Sequence, residues 1–359
     1  MPKSLRNLLL PFSILYGGII FVRNKLFDKN ILRSATFDFP LICVGNLAVG
    51  GTGKTPMVEY LAGVLNKKYH VATLSRGYKR KTNGFMVADG ETTDSDIGDE
   101  PMQIHQKFPG ITVAVAEERV IGIPKLLFEK PETEVIILDD AFQHREVKAG
   151  LNILLTDCKR IYSNDLLLPA GNLRDVKSSS KRANIIVVTK CKADLNVNEK
   201  KEIIKELNPL KHQKIFFTKI NYGNPYHLFS KEIFLWEDCH LLLVCGIANP
   251  RAIEDELKSK VSSVQLVRFK DHYNFHISDI NDIKERFSKI TERKKIILTT
   301  EKDAVRLLKF EKELKEFPVY VLPMNHEFLF EEEFDFQNMV TDFIQSFKME
   351  GTRGKSLNS

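Results

Sequence analysis

Ala48-Val49-Gly50-Gly51-Thr52-Gly53-Lys54-Thr55 reads as a phosphate-binding P-loop. Leu41-Ile42-Cys43-Val44 before it is a short apolar run, expected as a buried strand, and Met57, Tyr60, Leu61, Val64 and Leu65 after it recur at helical spacing. The glycines therefore fall between a strand and a helix, the context such a loop requires. Glycines let backbone N–H groups close around phosphate oxygens, and a helix N-terminus adds partial positive charge. Lys54 has the reach for β- and γ-phosphates, and the Thr55 hydroxyl can hold Mg²⁺. Pro56 falls in the first helical turn, where a missing N–H costs little. Ala48 stands where the strict pattern has glycine. No G-x-G-x-x-G run is present, which argues against a dinucleotide fold.

Outward from the loop, apolar runs alternate with helical patterns to about residue 206. Expected strands are 41–44, 71–74, 111–115, 135–138, 153–155 and 185–188. This rhythm predicts an α/β fold: a P-loop NTPase-like, mostly parallel sheet with helices on both faces. The turn-rich stretch 208–238 reads as a linker or hairpin, with β-type pieces at 214–218 and 233–236. A smaller C-terminal α/β domain is expected over 239–330, with strands at 241–245, 263–268, 296–299 and 319–321. A helix over 331–348 carries Phe336, Met339, Val340, Phe343, Ile344 and Phe347 on one stripe, and residues 349–359 read as a disordered tail. The P-loop domain itself is expected over 31–207, preceded by an N-terminal helix over 1–30.

That N-terminal segment differs from the rest. Leu8 to Val22 is almost wholly apolar or small and is flanked by Lys3, Arg6, Arg23 and Lys25. It falls short of the roughly 20 residues a spanning helix needs, and Pro11 and Gly17-Gly18 weaken a straight span. Two readings stand: a membrane-contacting helix lying in the interface, or a helix packed on the core. The chain has 359 residues, a formal net charge of +6 and five scattered cysteines without a CxxC pair. The charge is too weak to argue for nucleic acid but is compatible with an anionic membrane surface or phosphorylated ligands. The cysteines argue against a zinc site or a disulfide framework.

The remaining chemistry-bearing residues fall at strand ends. Val135-Ile136-Ile137-Leu138-Asp139-Asp140 reads as a Walker B strand, whose Asp139 or Asp140 can hold Mg²⁺ beside Thr55. Arg76, in Leu74-Ser75-Arg76-Gly77-Tyr78, falls at the same sheet edge, where a guanidinium can meet transferring phosphate or an anionic acceptor. Asp99, in the acidic turn Gly98-Asp99-Glu100-Pro101, can orient or deprotonate an acceptor hydroxyl. His272 follows a strand in Phe269-Lys270-Asp271-His272 and can pair with a carboxylate across a domain cleft. Thr300, in Thr300-Glu301-Lys302-Asp303-Ala304, is expected to cap a helix. Thr189-Lys190-Cys191-Lys192-Ala193-Asp194 has the wrong spacing for a guanine-reading loop.

Taken with Val44-Gly45-Asn46, Asp139-Asp140-Ala141-Phe142-Gln143-His144 and Leu168-Pro169-Ala170-Gly171-Asn172-Leu173-Arg174, these motifs resemble one family, the tetraacyldisaccharide 4'-kinases of lipid A biosynthesis. The resemblance spans about residues 5 to 345. It implies transfer of the γ-phosphate of ATP to the 4'-hydroxyl of a tetraacylated glucosamine disaccharide 1-phosphate, giving lipid IVA. It also implies a lipid substrate and peripheral contact with the cytoplasmic face of a Gram-negative inner membrane. The family's carboxylate–histidine pair maps onto Asp99 and His272, with Asp99 as base and His272 raising its basicity or orienting it. Lys54 and the loop amides would hold ATP, Thr55 and Asp139 or Asp140 would serve Mg²⁺, and Arg76 would face developing charge or the acceptor. Two rival readings differ in what they require. A kinase for a soluble acceptor would not depend on acyl chains, and a nucleotide-dependent membrane switch would not need Asp99 or His272.

Overall fold

The computed structural model describes residues 3–247 and 250–356. Its main sheet has nine strands, in the spatial order Met324–Phe328, Lys214–Tyr222, Ile185–Thr189, Leu151–Asp157, Leu41–Asn46, Val135–Asp139, Val71–Ser75, Thr112–Val115 and Met86–Val87. The seven inner strands run parallel, and the two outermost are antiparallel to their neighbours. Most of the inner strands are buried along their whole length and largely apolar, because helices cover both faces. On one face Met57, Val58 and Leu61 of the helix Lys54–Leu65 pack with Met102 and Ile104 of the helix Asp99–Lys107 and with Phe336, Val340 and Ile344 of the last helix. On the other, Ile123 and Leu126 pack with Leu138, Phe142 and Leu207.

A smaller sheet, in the order Tyr226–His227, Val319–Leu322, Lys295–Thr300, His240–Cys245 and Ser263–Arg268, is parallel except at its first strand. It too is covered on both faces, by clusters built around Leu242, Val244 and Ile283 and around Leu241, Leu243 and Leu257.

The structure differs from the sequence expectation in four places. Lys214–Tyr222 is no linker: its Phe216, Phe217 and Thr218 are buried, and it pairs with Ile185–Thr189 on one side and Met324–Phe328 on the other. The smaller unit closes at Leu322, Pro323 interrupts the strand, and Met324–Phe328 crosses back to the main sheet. Residues 233–236 form no strand, because Tyr226–His227 already occupies the edge beside Val319–Leu322; Ile233 keeps one isolated bridge to Tyr226. The last helix runs over Glu333–Ser356, past the point where a disordered tail was expected. The final three residues of that expected tail lie outside the described residues.

The N-terminal helix, Lys3–Asp28, docks by a polar and small stripe. Ser13 Oγ donates to Leu167 O at 2.9 Å and accepts from Ala170 N at 2.9 Å, and Tyr16 Oη donates to Arg174 O at 3.0 Å. Gly17 packs so closely on Leu167 that a Cβ there would meet Leu167 Cδ1 at 2.5 Å. Asn24 Nδ2 donates to Asp175 Oδ1 at 2.9 Å. The opposite stripe, Leu8, Phe12, Leu15, Ile19 and Val22, is apolar and exposed.

Candidate active site

The P-loop leaves the strand Leu41–Asn46 and enters the helix Lys54–Leu65 through Gly53, whose φ of 84° is left-handed backbone that glycine adopts freely. The loop is braced from several elements. Val49 N donates to Asn172 O at 2.7 Å, Asn46 Nδ2 donates to Thr52 Oγ1 at 2.7 Å, and Thr189 Oγ1 donates to Thr52 O at 2.8 Å. Ala48 forms a bridge to Leu173, Gly50 and Gly51 face outward, and the Lys190 ammonium donates to Gly51 O and pairs with Asp157 at 3.2 Å. Thr55 sits half-buried in the first helical turn.

His326, on the strand that returns from the smaller unit, completes the brace. Gly53 O can only accept, so Nε2 donates to it at 2.9 Å and Nδ1 accepts from Thr218 Oγ1 at 2.9 Å. Burial pushes this imidazole down to about 4, so it is neutral at neutral pH.

Asp139 and Asp140 end the strand beside the loop, close to it because Gly45 lets the chain at Phe142 approach: a Cβ on Gly45 would meet Phe142 Cβ at 2.5 Å. The two carboxylates have different surroundings. Asp140, with a φ of 49°, is forked by the Arg174 guanidinium and lies 3.7 Å from Lys54 Nζ. Burial alone would raise its pKa, but the Arg174 hydrogen bond and the Lys54 charge hold it below the usual carboxylate range. Asp139 is buried, and its Oδ1 has no hydrogen-bond partner. Burial, then the nearby charges of Glu100 and Asp140, pushes it up to about 7. Arg76 is exposed just beyond the strand Val71–Ser75. Nearby, burial and the charges of Arg119 and Arg76 push His144 down to about 4.

Asp99 opens the helix Asp99–Lys107 and meets the smaller unit directly. His272 Nδ1 donates to Asp99 Oδ2 at 2.8 Å, and its Nε2 accepts from the Lys302 ammonium, which can only donate, at 3.0 Å. Arg306 pairs with the same carboxylate oxygen, and Lys302 lies 3.9 Å from it. Lys302 also reaches Glu100 at 3.3 Å. Burial would raise the Asp99 carboxyl, but the His272 hydrogen bond and the Lys302 and Arg306 charges outweigh it and hold the group well below its ordinary range. The expected pairing of Asp99 with His272 is therefore present, and of the two effects expected of His272 the contact suits orienting the carboxylate, whose surroundings lower its pKa because every partner of Asp99 is a donor or a cation. Thr300 caps the helix that carries Lys302 and Arg306, its Oγ1 accepting from Asp303 N at 3.2 Å.

Sequence reasoning assigned no role to Arg174, Lys302, Arg306 or His326. Arg174 and Lys302 lay inside motifs already singled out, so only their partners were hidden. Nothing local marks Arg306 or His326.

A strand–P-loop–helix unit with paired aspartates at the end of the adjoining parallel strand defines a P-loop nucleotide-binding protein. A family model described as tetraacyldisaccharide-1-P 4'-kinase matches residues 5–345, and the chain belongs to that family. It is 44% identical over 366 residues to the tetraacyldisaccharide 4'-kinase of Bacteroides thetaiotaomicron, covering 98% of this chain and 95% of that one. It is 46% identical over 330 residues to that of Flavobacterium johnsoniae, covering 90% and 94%. A crystal structure of LpxK from Aquifex aeolicus in complex with ATP superposes with a TM-score of 0.73 at 32% identity, over 95% of this chain and 99% of that one. The chain is accordingly a kinase.

Proposed function

We propose that this kinase transfers the γ-phosphate of ATP to the 4'-hydroxyl of a tetraacylated glucosamine disaccharide 1-phosphate, giving lipid IVA. The observation that carries the reading is the Asp99–His272 pair, joined across the two units beside the P-loop edge. The loop amides and Lys54 hold the β- and γ-phosphates. Asp139 has the donor character a divalent cation needs, a buried carboxylate with an unpartnered oxygen, and Thr55 lies on the adjoining first turn. Mg²⁺ held there would neutralise charge developing on the ATP phosphates. Asp140, already held by Arg174 and Lys54, serves to place Lys54.

Asp99 orients the acceptor hydroxyl and takes its proton late. A loose phosphoryl-transfer transition state needs little help from a strong base, so a carboxylate of low basicity suffices. His272 and Lys302 fix the carboxylate's orientation. Arg76, exposed at the same edge, meets the anionic phosphates of the reacting pair.

The exposed stripe of the N-terminal helix suits contact with the cytoplasmic face of an inner membrane. Leu8–Asp28, 21 residues at mean hydropathy 1.2, is long and apolar enough to cross a bilayer. Its other stripe is hydrogen-bonded to the protein from Ser13 to Asn24, which favours a helix lying in the interface over one that spans.

The test is transfer from γ-labelled ATP to tetraacyldisaccharide 1-phosphate in detergent micelles, with and without Mg²⁺. A Mg²⁺-dependent lipid carrying one added phosphate is the expected product. Free phosphate without labelled lipid would overturn the reading in favour of a nucleotide switch.

A further inference from the structure

Three helices each begin with a part of the proposed machinery. Lys54–Leu65 starts with Lys54 and Thr55, Asp99–Lys107 starts with Asp99 and Glu100, and Glu301–Leu307 carries Lys302 and Arg306, which hold Asp99. Away from the reacting edge the three are tied by one lysine. Lys107 Nζ lies 2.8 Å from Glu59 Oε2 on the first helix and 2.6 Å from Glu301 Oε1 on the third. Gln103 Nε2 donates to Glu59 Oε1 at 2.6 Å, and Met324 N donates to Glu301 Oε2 at 3.1 Å. Both glutamate side chains are only 2% exposed, and Lys107 is 23% exposed.

We propose that Lys107 is a positioning residue, whose paired contacts to Glu59 and Glu301 set the P-loop helix, the Asp99 helix and the Lys302–Arg306 helix in the register that transfer requires.

Burying two carboxylates around one ammonium is an expensive way to hold a core together. Apolar side chains of similar volume stabilise such a position as well or better. What the ions supply and apolar contacts do not is a fixed geometry, since methylenes slide and a paired ammonium does not. Burial, then the charge of Glu301, pushes Glu59 up against the pull of Lys107. Glu301 immediately precedes Lys302 and lies five residues before Arg306. A shift at Lys107 therefore reaches Asp99 twice, through its own helix and through Lys302 and Arg306.

The inference rests on the proposed role of Asp99, so the experiment carries Asp99→Asn in parallel. The variants are Lys107→Met, Lys107→Arg, and the neutral triple Glu59→Gln/Lys107→Met/Glu301→Gln, which leaves no buried charge unpaired and so keeps the fold testable. The readouts are kcat for lipid phosphorylation, KM for ATP and Tm. The triple variant is expected to keep its Tm within a few degrees and its ATP KM within about twofold, while kcat falls ~10-fold or more, because misplacing reacting groups by about 1 Å costs up to ~100-fold. Lys107→Arg is expected to recover most of kcat. In an Asp99→Asn background the loss from the triple change should largely vanish, since residues acting as a unit are not additive. Wild-type kcat in the triple variant, with Asp99→Asn impaired, would overturn the Lys107 proposal and leave the site reading intact. Wild-type kcat in Asp99→Asn would overturn both.

Discussion

His272 Nδ1 and Asp99 Oδ2 lie 2.8 Å apart although the two residues are 173 positions apart in the chain. The contact joins the N-terminal turn of a helix in the main unit to the loop after a strand in the smaller one. Arg306 and Lys302 complete the cage around the same carboxylate.

Removing either member of the pair should slow transfer, but not with the same structural cost. His272→Ala should lower kcat by ~100-fold or more with little change in Tm, the scale of a general acid–base contribution. Asp99→Ala should abolish turnover and also cost about 2 kcal/mol, because the buried Arg306 guanidinium loses one of its two carboxylate partners and keeps only Asp303. Asp99→Asn should separate the two effects. Denaturant unfolding beside steady-state kinetics checks both, and wild-type turnover in either variant would remove that residue from the mechanism.

Asp139 is held up to about 7 by burial and by Glu100 and Asp140, so near pH 7 it is partly protonated without a cation. Mg²⁺ requires the ionised form. Its binding should therefore release a proton near pH 7, and its affinity should fall as pH drops below that value. The sign for stability is the opposite of a paired carboxylate. The folded pKa lies above the ordinary value of 3.8, so without cation the group costs stability progressively as pH rises from about 4 to 7, and bound Mg²⁺ relieves that cost. Calorimetric titration of Mg²⁺ in two buffers of different ionisation enthalpy measures the proton, and Asp139→Asn should abolish it.

His326 is pushed from 6.5 down to about 4 by burial. The unfolded chain thus binds a proton that the folded chain refuses. Stability is full above about 6.5 and falls as pH drops toward 4, by about 3 kcal/mol from this group. His326→Gln should flatten that part of the stability–pH curve. His326→Leu, which also removes the donor to Gly53 O, should loosen the P-loop and so raise the KM for ATP. A curve of unchanged slope would show that another group controls the acid limb.

Leu15 and Ile19 are 65% and 61% exposed on the outer stripe of the N-terminal helix. Leu15→Glu with Ile19→Glu should leave Tm unchanged, because neither side chain packs on the protein. It should sharply reduce co-sedimentation with anionic phospholipid vesicles. Retained vesicle binding would move the membrane contact elsewhere.

Much of the chemistry could be read along the chain because its signals are local. The P-loop needs glycines, a lysine and a threonine within eight residues, and the Walker B strand needs four apolar residues before its aspartates. Both kinds of pattern survive without knowledge of the partner strand. Parallel strands such as Leu41–Asn46, Val71–Ser75 and Ile185–Thr189 could be placed because burial on both faces makes them predominantly apolar.

What the sequence by itself determined is therefore the nucleotide-binding edge, the α/β class and the apolar N-terminal helix. Only the tertiary structure decided that Met324–Phe328 returns to the main sheet and carries His326 beneath Gly53. It alone decided that Arg174 takes Asp140 and leaves an oxygen of Asp139 without a partner, and that Arg306 and Lys302 depress Asp99 rather than make it more basic. Those outcomes depend on charges and donors brought together from positions far apart in the chain, from 34 residues for Arg174 and Asp140 to 273 for His326 and Gly53. Periodicity and spacing record the company each residue keeps along its own strand or helix, and the electrostatics of a site depend on what the fold places across from it.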